Sequence, residues 1–592
     1  MATALIAGEA PFLLFDDARG QGAGPARLYE RPVATVTTRE PGEVAACLGR
    51  LRQARADGLH AAGFLAYEAG LALEAKLAPL ARAPAADAPP LLWFGLFESC
   101  SEVAASEVPA LLPDPASAFA APPRPLIARP AYEAAADRVK RHIEAGDVYQ
   151  VNLTFAAEVA TAGHPLALYA ALRRRAAAGW GGIAYTGEHW LLSFSPELFF
   201  TLAGRRVTTR PMKGTAARRS DPAEDRKAAA ALRQDPKQLA ENLMIVDLLR
   251  NDLSRVSKPG TVKAPDLFAV ETYPTVHQMT STVTAELEEG VDAIGVLEAM
   301  FPCGSVTGAP KIRAMQLIAD IETSPRGAYT GSIGWLAADG DAAFNVAIRT
   351  LTMRAGEGRA MMGLGSGIVA DSRVGEEWRE CLAKGAFVAG EGRFDLVETM
   401  RFDPHEGVVD LERHLGRMKR SADELGFAFD RHETRNELQA ATFRVRQESK
   451  LRLLLSRSGA VAVEIRPLPE TPPEPVEVAV VRLPVAPDDF RLRHKTSDRS
   501  FYDEAREAAG RFEILFEGPD GCLTEGSFTS LFVERGGRLV TPPLARGLMP
   551  GVLRGRLLAS GEAVEGDIVH ADLLGGFLIG NSLRGLIRAV VA

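Results

Sequence analysis

AENLMIVDLLRNDL, residues 240–253, is an apolar-periodic helix that starts near Glu241. It lies inside a run, 131 to about 388, in which strand-like and helix-like segments alternate, and that alternation sets the fold class as α/β or α+β. Within the run, AYEAAADRVKRHIEAG (131–146) reads as a helix stopped by Gly146, and YQVNLTFAAEV (149–159) as an alternating strand. Toward the N-terminus, GFLAYEAG (63–70) and LLWFGLFES (91–99) read as buried strands, and the Ala/Pro-rich stretches 79–90 and 107–130 as surface connections. Toward the C-terminus, VAGEGRFDLVETMR (388–401) sets a Gly-rich turn before a new strand. LERHLGRMKRSADELGF (411–427) is an amphipathic helix, KLRLLLSRSG (450–459) and VAVEIRPL (461–468) are strands, and PETPPEP (469–475) is an internal linker. The expected divisions are 1–130, 131–390 and 391–592, the first two forming one functional unit. No repeat of 20–50 residues is present, which argues against a solenoid.

The chain has 592 residues, of which 46% are hydrophobic and 24% charged, the balance of a folded globular protein of several domains. A net charge of −8 and a pI near 5.8 argue against nucleic-acid binding. No apolar run reaches the roughly 18–20 residues a membrane span needs. The opening MATALIAGEAPFLLFDDARG has no basic n-region and carries Glu9, Asp16 and Asp17, so it does not read as a signal peptide. The five cysteines are far apart with no CxxC spacing, which suits a reduced, cytoplasmic protein. Of 68 basic residues only 12 are lysine, and arginine cannot act as an amine nucleophile, so candidates for lysine chemistry are few.

In EEWRECLAK (376–384), Glu377, Glu380 and Lys384 follow i, i+3, i+7 and share one helical face. Two carboxylates one turn apart, met by a third from another helix, suit Mg²⁺, although the same spacing describes a solvated helical face. GLGSGIV (363–369) resembles a phosphate loop but is not GxGxxG, because Ile368 takes the last position, and GSVTGAPK (304–311) misses the Walker A pattern. As loops, both could offer backbone N–H groups to a carboxylate.

Nine motifs then occur in one order: GDVYQVNLT (146–154), SFSPELFF (193–200), RPMKGT (210–215), AENLMIVDLLRNDL, ETYPTVHQMTS (271–281), FPCGSVTGAPK (301–311), RGAYTGSIGW (326–335), NVAIRT (345–350) and GLGSGIVADS (363–372). Together they resemble the chorismate-utilising enzymes, the family of anthranilate synthase component I, aminodeoxychorismate synthase component I and the isochorismate and salicylate relatives. The likeness is strong over 130–390 and loose over 1–130. It implies a two-sheet β-sandwich layered with helices, chorismate as substrate and bound Mg²⁺. By position, Glu241 and Glu380 match the metal ligands, with Glu377 close by through water. Arg349 and Tyr329 match residues on a chorismate carboxylate; the Gly365, Ser366 and Gly367 amides and Lys384 match further carboxylate contacts. Thr307 and Gly308 match the pocket lining. His277 matches the histidine near the C4 hydroxyl, where it can act as an acid. Lys213, in RPMKGT, matches the lysine found where the product is aminodeoxychorismate; alanine is common there when it is anthranilate. A lysine amine can attack C2 of the chorismate ring while the C4 hydroxyl leaves, and ammonia then attacks C4 and expels the lysine. The plainer role for Lys213 is pairing with a substrate carboxylate. No cysteine sits in a glycine-flanked nucleophile turn, so ammonia is expected from a separate glutamine amidotransferase subunit, which the family pattern also implies.

After residue 390 only Lys419, Lys450 and Lys495 remain. Lys419 sits among RMKR on a solvated helical face and Lys450 opens a strand, while Lys495 ends a strand-like run in RHKTSDRSFYDEA (493–505). LERHLGRMKRSA (411–422), HKTSDR (494–499), GCLTEGSFTSLFV (521–533), TPPLARGLMPGVLRGRLL (541–558) and IGNSLRG (579–585) resemble the class IV, fold-type IV, pyridoxal-phosphate enzymes. That family includes branched-chain and D-amino-acid aminotransferases and aminodeoxychorismate lyase. The resemblance implies two α/β subdomains with pyridoxal 5′-phosphate between them, and a class that commonly forms homodimers. Lys495 matches the lysine that carries the cofactor and shuttles protons, Glu525 the partner of the pyridinium nitrogen, and Arg417, Gly551, Val552 and Ser582 the phosphate contacts. Two departures stand out: the opening of the unit is shortened to GRFDLVETMR, and Ser530 stands where asparagine is usual.

The two resemblances imply one pathway, from chorismate to aminodeoxychorismate and then, with loss of pyruvate, to 4-aminobenzoate for folate synthesis. Three alternatives remain: an anthranilate synthase component I fused to an amino-acid aminotransferase; a non-catalytic chorismate-binding chain; and a cofactor-free C-terminal unit that docks the glutaminase.

Overall fold

In the computed structural model, the described residues are 10–20, 22–273, 276–390, 394–470 and 472–592. Residues 1–9, Pro274 and Thr275 of the 271–281 motif, the turn at 391–393 that opens GRFDLVETMR, and Thr471 of the linker lie outside them. The chain forms two compact units. The first comprises Met1–Pro115, Pro122–Val159 and Tyr169–Ala389; the second comprises Ala116–Ala121, Ala160–Leu168 and Gly390–Ala592.

Two large sheets build the first unit. One runs from Gly308–Ala309 through Gln150–Ala162, Arg359–Ile368, Thr350–Arg354, His189–Ser193 and Gly181–Tyr185 to Phe12–Asp16 and Ala26–Glu30. The other runs from Met212–Ala217 through Val276–Glu286, Arg206–Arg210, Leu198–Ala203, Ala342–Asn345 and Ser332–Leu336 to His60–Leu65, Leu92–Phe97 and Ala34–Thr38. Leu13, Tyr29 and Leu191 of the first sheet pack on Phe64 and Trp93 of the second, which makes a sandwich. On the other face of the second sheet, Phe199, Phe200 and Phe344 meet Leu48, Ile245, Leu249 and Leu297 from three helices. The expected two-sheet sandwich layered with helices is therefore present, and the strands of 60–97 are central to it. Gly63 is required there, since a Cβ would fall 2.0 Å from the Trp93 carbonyl oxygen.

Local differences from the sequence reading have simple causes. The helix around AENLMIVDLLRNDL spans Pro236–Ser254 and begins before Glu241, because Pro236 takes its first position and the Asp235 carboxylate accepts from the Lys237 and Gln238 amides. GLGSGIV is not a loop: it ends the strand Arg359–Ile368. Its glycines answer crowding, with Cβ atoms at 363 and 365 falling 1.9 Å from the Tyr329 ring and 2.6 Å from Thr154 Cγ2. The stretch 107–130 is more than a connection, because Phe119–Ala120 pairs with Thr161–Ala162, and Phe119 packs on Phe394 and Phe490.

The second unit has two parts. A four-stranded antiparallel sheet, with Leu396–Asp403 and Ser449–Leu455 at its centre, packs on the helix Leu411–Leu425 through Leu415, Met418 and Ala422. An eight-stranded sheet follows, and pairing of Glu525 with Ser530 joins Leu523–Gly526 to Ser530–Arg535, closing six of its strands into a small barrel. The Pro-rich stretch after Val461–Pro467 leads from one part to the other. Lys495 does not end a strand. It follows the short helix Phe490–Arg493, and its carbonyl accepts from the Val397 amide at 2.8 Å, which pins it to the four-stranded sheet.

Candidate active sites

In the first unit, Lys213 sits on Met212–Ala217, an edge strand held by Val276–Glu286, and the Asn242 amide donates to its carbonyl at 3.3 Å. Burial, and then the charge of Lys384, hold its amine below the usual lysine value, opposed by Glu241, Glu197 and Glu380. Those residues come from two helices, Pro236–Ser254 and Val374–Gly385, and from the turn before the strand Leu198–Ala203, which converge on Lys213. Gly367 leaves room beside the amine, since a Cβ there would lie 3.5 Å from Lys213 Nζ and 2.2 Å from Gln150 Nε2. Burial pushes the Glu197 carboxyl up to about 7, against the pull of Ser305 and Lys213, and its Oε1 has no hydrogen-bond partner among the described residues.

Burial also raises Glu241, with Glu380 and Glu377 adding repulsion against the attraction of Lys213 and Lys237. Desolvation opposes it, but Glu380, whose side chain is 55% exposed, ends below its usual value because Lys384 Nζ stands 2.8 Å from its Oε1. Glu377 accepts from Ser372 Oγ at 2.8 Å. No three His, Cys, Asp or Glu side chains among the described residues are grouped so as to hold a metal ion. The donors still fit Mg²⁺ chemically: they are hard carboxylate oxygens, and the repulsion on Glu241 is what a divalent cation relieves.

Arg349, at a left-handed φ of 49°, is buried enough to lower its pKa, and its guanidinium has no ion pair or hydrogen bond among the described residues. Tyr329 lies against Gly363, and burial raises its hydroxyl. Lys384 Nζ donates to the Gly365 carbonyl at 2.9 Å, and Ser366 Oγ lies 3.1 Å from Tyr132 Oη. Thr307 Oγ1 is committed to the carbonyls of Cys303 and Gly304. Gly308 owes its identity to strand pairing, because its φ is 145° and a Cβ would fall 2.2 Å from the Gln150 oxygen. His277 is buried with both ring nitrogens taken, by Asp225 Oδ1 at 2.9 Å and Thr272 Oγ1 at 3.0 Å. Asp225, drawn down to about 2 by the Arg219 amide, His277 and Arg218, ties it to the helix Pro222–Leu232. Both His277 ring nitrogens are thus engaged within the fold, and Glu197 is a second protonatable group near Lys213.

The second unit holds a cavity of about 470 Å³ between the four-stranded sheet and the barrel, and Lys495, Glu525, Arg417, Gly551, Val552 and Ser582 all line it. Burial, with Arg417 next, brings the Lys495 amine down to about 7. Glu525 is buried in the strand Leu523–Gly526, accepts from Tyr502 Oη at 2.7 Å, and is pushed by burial up to about 7. Arg417 forks onto Glu398, Nε to Oε1 at 2.8 Å and Nη2 to Oε2 at 2.6 Å, while Nη1 donates to the Pro550 carbonyl at 3.2 Å. Gly551 caps the helix Val552–Ser560, and a Cβ there would strike Ser530 Oγ at 2.6 Å. Pyridoxal phosphate fits this set: a lysine whose amine burial depresses, a buried acid for its ring nitrogen, and an arginine and a helix N-terminus for its phosphate.

A family model for chorismate binding enzymes matches residues 10–390, and one for class IV amino-transferases matches 395–591. The chain belongs to the chorismate-binding enzymes. It carries a class IV aminotransferase domain fused behind the chorismate-binding one. Aminodeoxychorismate synthase component 1 of Salmonella typhimurium is 42% identical over 247 residues, 42% of this chain and 54% of that protein. Anthranilate synthase component 1 of Streptomyces coelicolor is 42% identical over 248 residues, 42% of this chain and 48% of that protein. The chain thus spans about half the length of the curated relatives it matches. Anthranilate synthase component I from Streptococcus pneumoniae, a solved structure, superposes with a TM-score of 0.53 at 26% identity, covering 62% of this chain and 93% of that one.

In the chorismate-binding domain, two residues were missed by sequence reasoning. Glu197 lies within SFSPELFF, and Gln150, buried with no partner for its Oε1 among the described residues, lies within GDVYQVNLT. Both stood inside quoted motifs, but nothing local marks either side chain as buried. In the class IV domain, Glu398 was the residue missed; a single acid in LVETMR gives no sign that it anchors Arg417.

Proposed function

We propose that the chain converts chorismate to 4-aminobenzoate in two steps, on separate sites. What carries this reading is Lys213: a buried amine held below its usual pKa, flanked by Glu197, Glu241 and Glu380. Neutral, its Nζ forms a bond to ring C2 as the C4–O bond breaks, and Glu197 gives its proton to the departing hydroxide. Ammonia then bonds to C4 and the C2–N bond breaks, which returns Lys213 and leaves 4-amino-4-deoxychorismate and water. Arg349 and Tyr329 would take one substrate carboxylate and Lys384 another. Magnesium held by Glu241 and Glu380, with Glu377 behind, would supply positive charge for the ring carboxylate.

Ammonia would come from a separate glutaminase. Cys47, Cys303 and Cys381 are buried, and Cys303 is pushed by burial up to about 12, the opposite of a nucleophile's environment. The free cysteines suit a reducing, cytoplasmic setting. In the class IV domain, bound pyridoxal phosphate supplies an electron sink, with Glu525 keeping charge at its ring nitrogen. Lys495 Nζ takes the proton from C4, the bond from C3 to the enolpyruvyl oxygen breaks, and pyruvate leaves an aromatic 4-aminobenzoate.

Anthranilate synthesis is the second reading, since the two component 1 relatives are equally identical to this chain. The presence of Lys213 favours the first. The test is to supply chorismate, Mg²⁺ and ammonium to Lys213→Ala and Lys495→Ala proteins. Lys495→Ala should stop at aminodeoxychorismate, and Lys213→Ala should make none. Anthranilate from the unaltered chain would reverse the choice.

A further inference from the structure

The cofactor cavity carries more positive charge than the cofactor's phosphate accounts for. Arg417 is answered by Glu398 and Arg506 by Asp503, and Arg499 donates to the Ser527 carbonyl. Apart from Lys495, which the cofactor would take, two cations lining the cavity have no such answer among the described residues. Lys450 stands on the central strand Ser449–Leu455, between Arg401 and Arg466 in the sheet register and two residues from Arg452. Glu464 is engaged by Arg466 and, at 4.0 Å, by Arg452 across from it. Arg584 comes from the turn between the barrel strands Phe577–Asn581 and Gly585–Val591. Its guanidinium lies 5.8 Å over the Phe528 ring, and its Nε is buried with no hydrogen-bond partner among the described residues. Neither side chain has an ion pair among the described residues. Lys450 from the sheet and Arg584 from the barrel turn both line the cavity, and burial and then Arg584 depress the Lys450 amine while Glu464 pulls the other way. Glu464 attracts Lys450 and Glu513 attracts Arg584 without forming an ion pair, and like charges so placed and partly desolvated favour an incoming anion.

We infer that Lys450 and Arg584 receive a carboxylate of a dianionic substrate and make the class IV domain selective for dicarboxylates over monocarboxylate amino acids. The inference rests on the proposed lyase reading, whose substrate, aminodeoxychorismate, has two carboxylates. The phosphate of the cofactor has its own seat at Arg417, the Gly551–Val552 helix start and Ser582, which leaves this pair for substrate.

The test uses the full chain loaded with pyridoxal phosphate, with Lys450→Met, Arg584→Met and the conservative Lys450→Arg. Each Met variant should raise KM for aminodeoxychorismate about tenfold or more, as loss of a charged hydrogen bond does, with kcat little changed, and Lys450→Arg should recover most of it. Binding of terephthalate and benzoate, read from the absorbance of the bound cofactor, should favour the dicarboxylate in the unaltered protein and lose that preference in the Met variants. Unchanged KM and unchanged terephthalate preference would overturn the inference while leaving the lyase reading intact. Loss of bound cofactor in the Met variants would overturn it by assigning the pair to the phosphate. An unaltered protein that ignores aminodeoxychorismate but transaminates monocarboxylate amino acids would overturn the lyase reading and the inference together.

Discussion

In the proposed first step, Glu197 and Lys213 would work as a pair of opposite protonation: an acid that keeps its proton and an amine that loses it. Because burial pushes Glu197 up to about 7, its proton is lost as pH rises through neutrality. At fixed free ammonia, the first step should slow above pH 7, and Glu197→Gln should abolish that limb while cutting kcat by about 10²–10⁴-fold. An unaltered descending limb in Glu197→Gln would assign the acid elsewhere. Lys495 permits a stability argument. Its folded value of about 7 lies below the ordinary lysine value of 10.5, so the unfolded chain binds more protons between the two. Its penalty is fully present below pH 7 and disappears as pH rises toward 10.5. In cofactor-free protein, Lys495→Met should therefore stabilise the class IV domain at pH 6 by a few kcal/mol, on the order of the depressed pKa, and hardly at all at pH 10, measured by urea unfolding. Lys213 and Lys495 could be singled out in the sequence because lysine is scarce in this chain and each lies in a family-like motif. Glu197, Gln150 and Glu398 were not, because an acid or amide becomes a buried functional group only through strands paired far along the chain.

At the scale of elements, the strand Leu396–Asp403 and the helix Leu411–Leu425 are joined by Glu398, which Arg417 and His414 hold well below the usual carboxylate range against the cost of burial. Its stabilising contribution is present above the unfolded pKa and is lost as pH falls through the folded one. Removing one partner of such a buried pair strands the other charge. Glu398→Gln should cost about 3–5 kcal/mol in cofactor-free protein, seen as a drop of several degrees in Tm, and less with pyridoxal phosphate present to face Arg417. An equal loss in both forms would mean that Arg417 does not meet the phosphate. Most elements were legible from periodicity, including the helices around 131–146 and 411–427. GLGSGIV was not, because a glycine that lets Tyr329 or Thr154 approach a strand is indistinguishable, in sequence, from a glycine in a loop. The early start at Pro236 was missed because the apolar stripe begins later than the cap.

For the molecule as a whole, two resemblances in series were visible from the order of motifs, and each half folds with its own core. The sequence did not reveal that Ala116–Ala121 and Ala160–Leu168 belong to the C-terminal unit, because their partners, Phe394 and Phe490, lie hundreds of residues away and the stretch looks like an Ala/Pro linker. Nor did spacing alone separate a metal-holding face from a solvated one at Glu377 and Glu380. The central claim is that one chain carries both steps, and the direct measurement is product analysis on the unaltered chain supplied with chorismate, Mg²⁺, ammonium and pyridoxal phosphate. The account predicts 4-aminobenzoate and pyruvate in equal amounts, with pyruvate release lost in Lys495→Ala. Anthranilate, or pyruvate release that persists without Lys495, would contradict it.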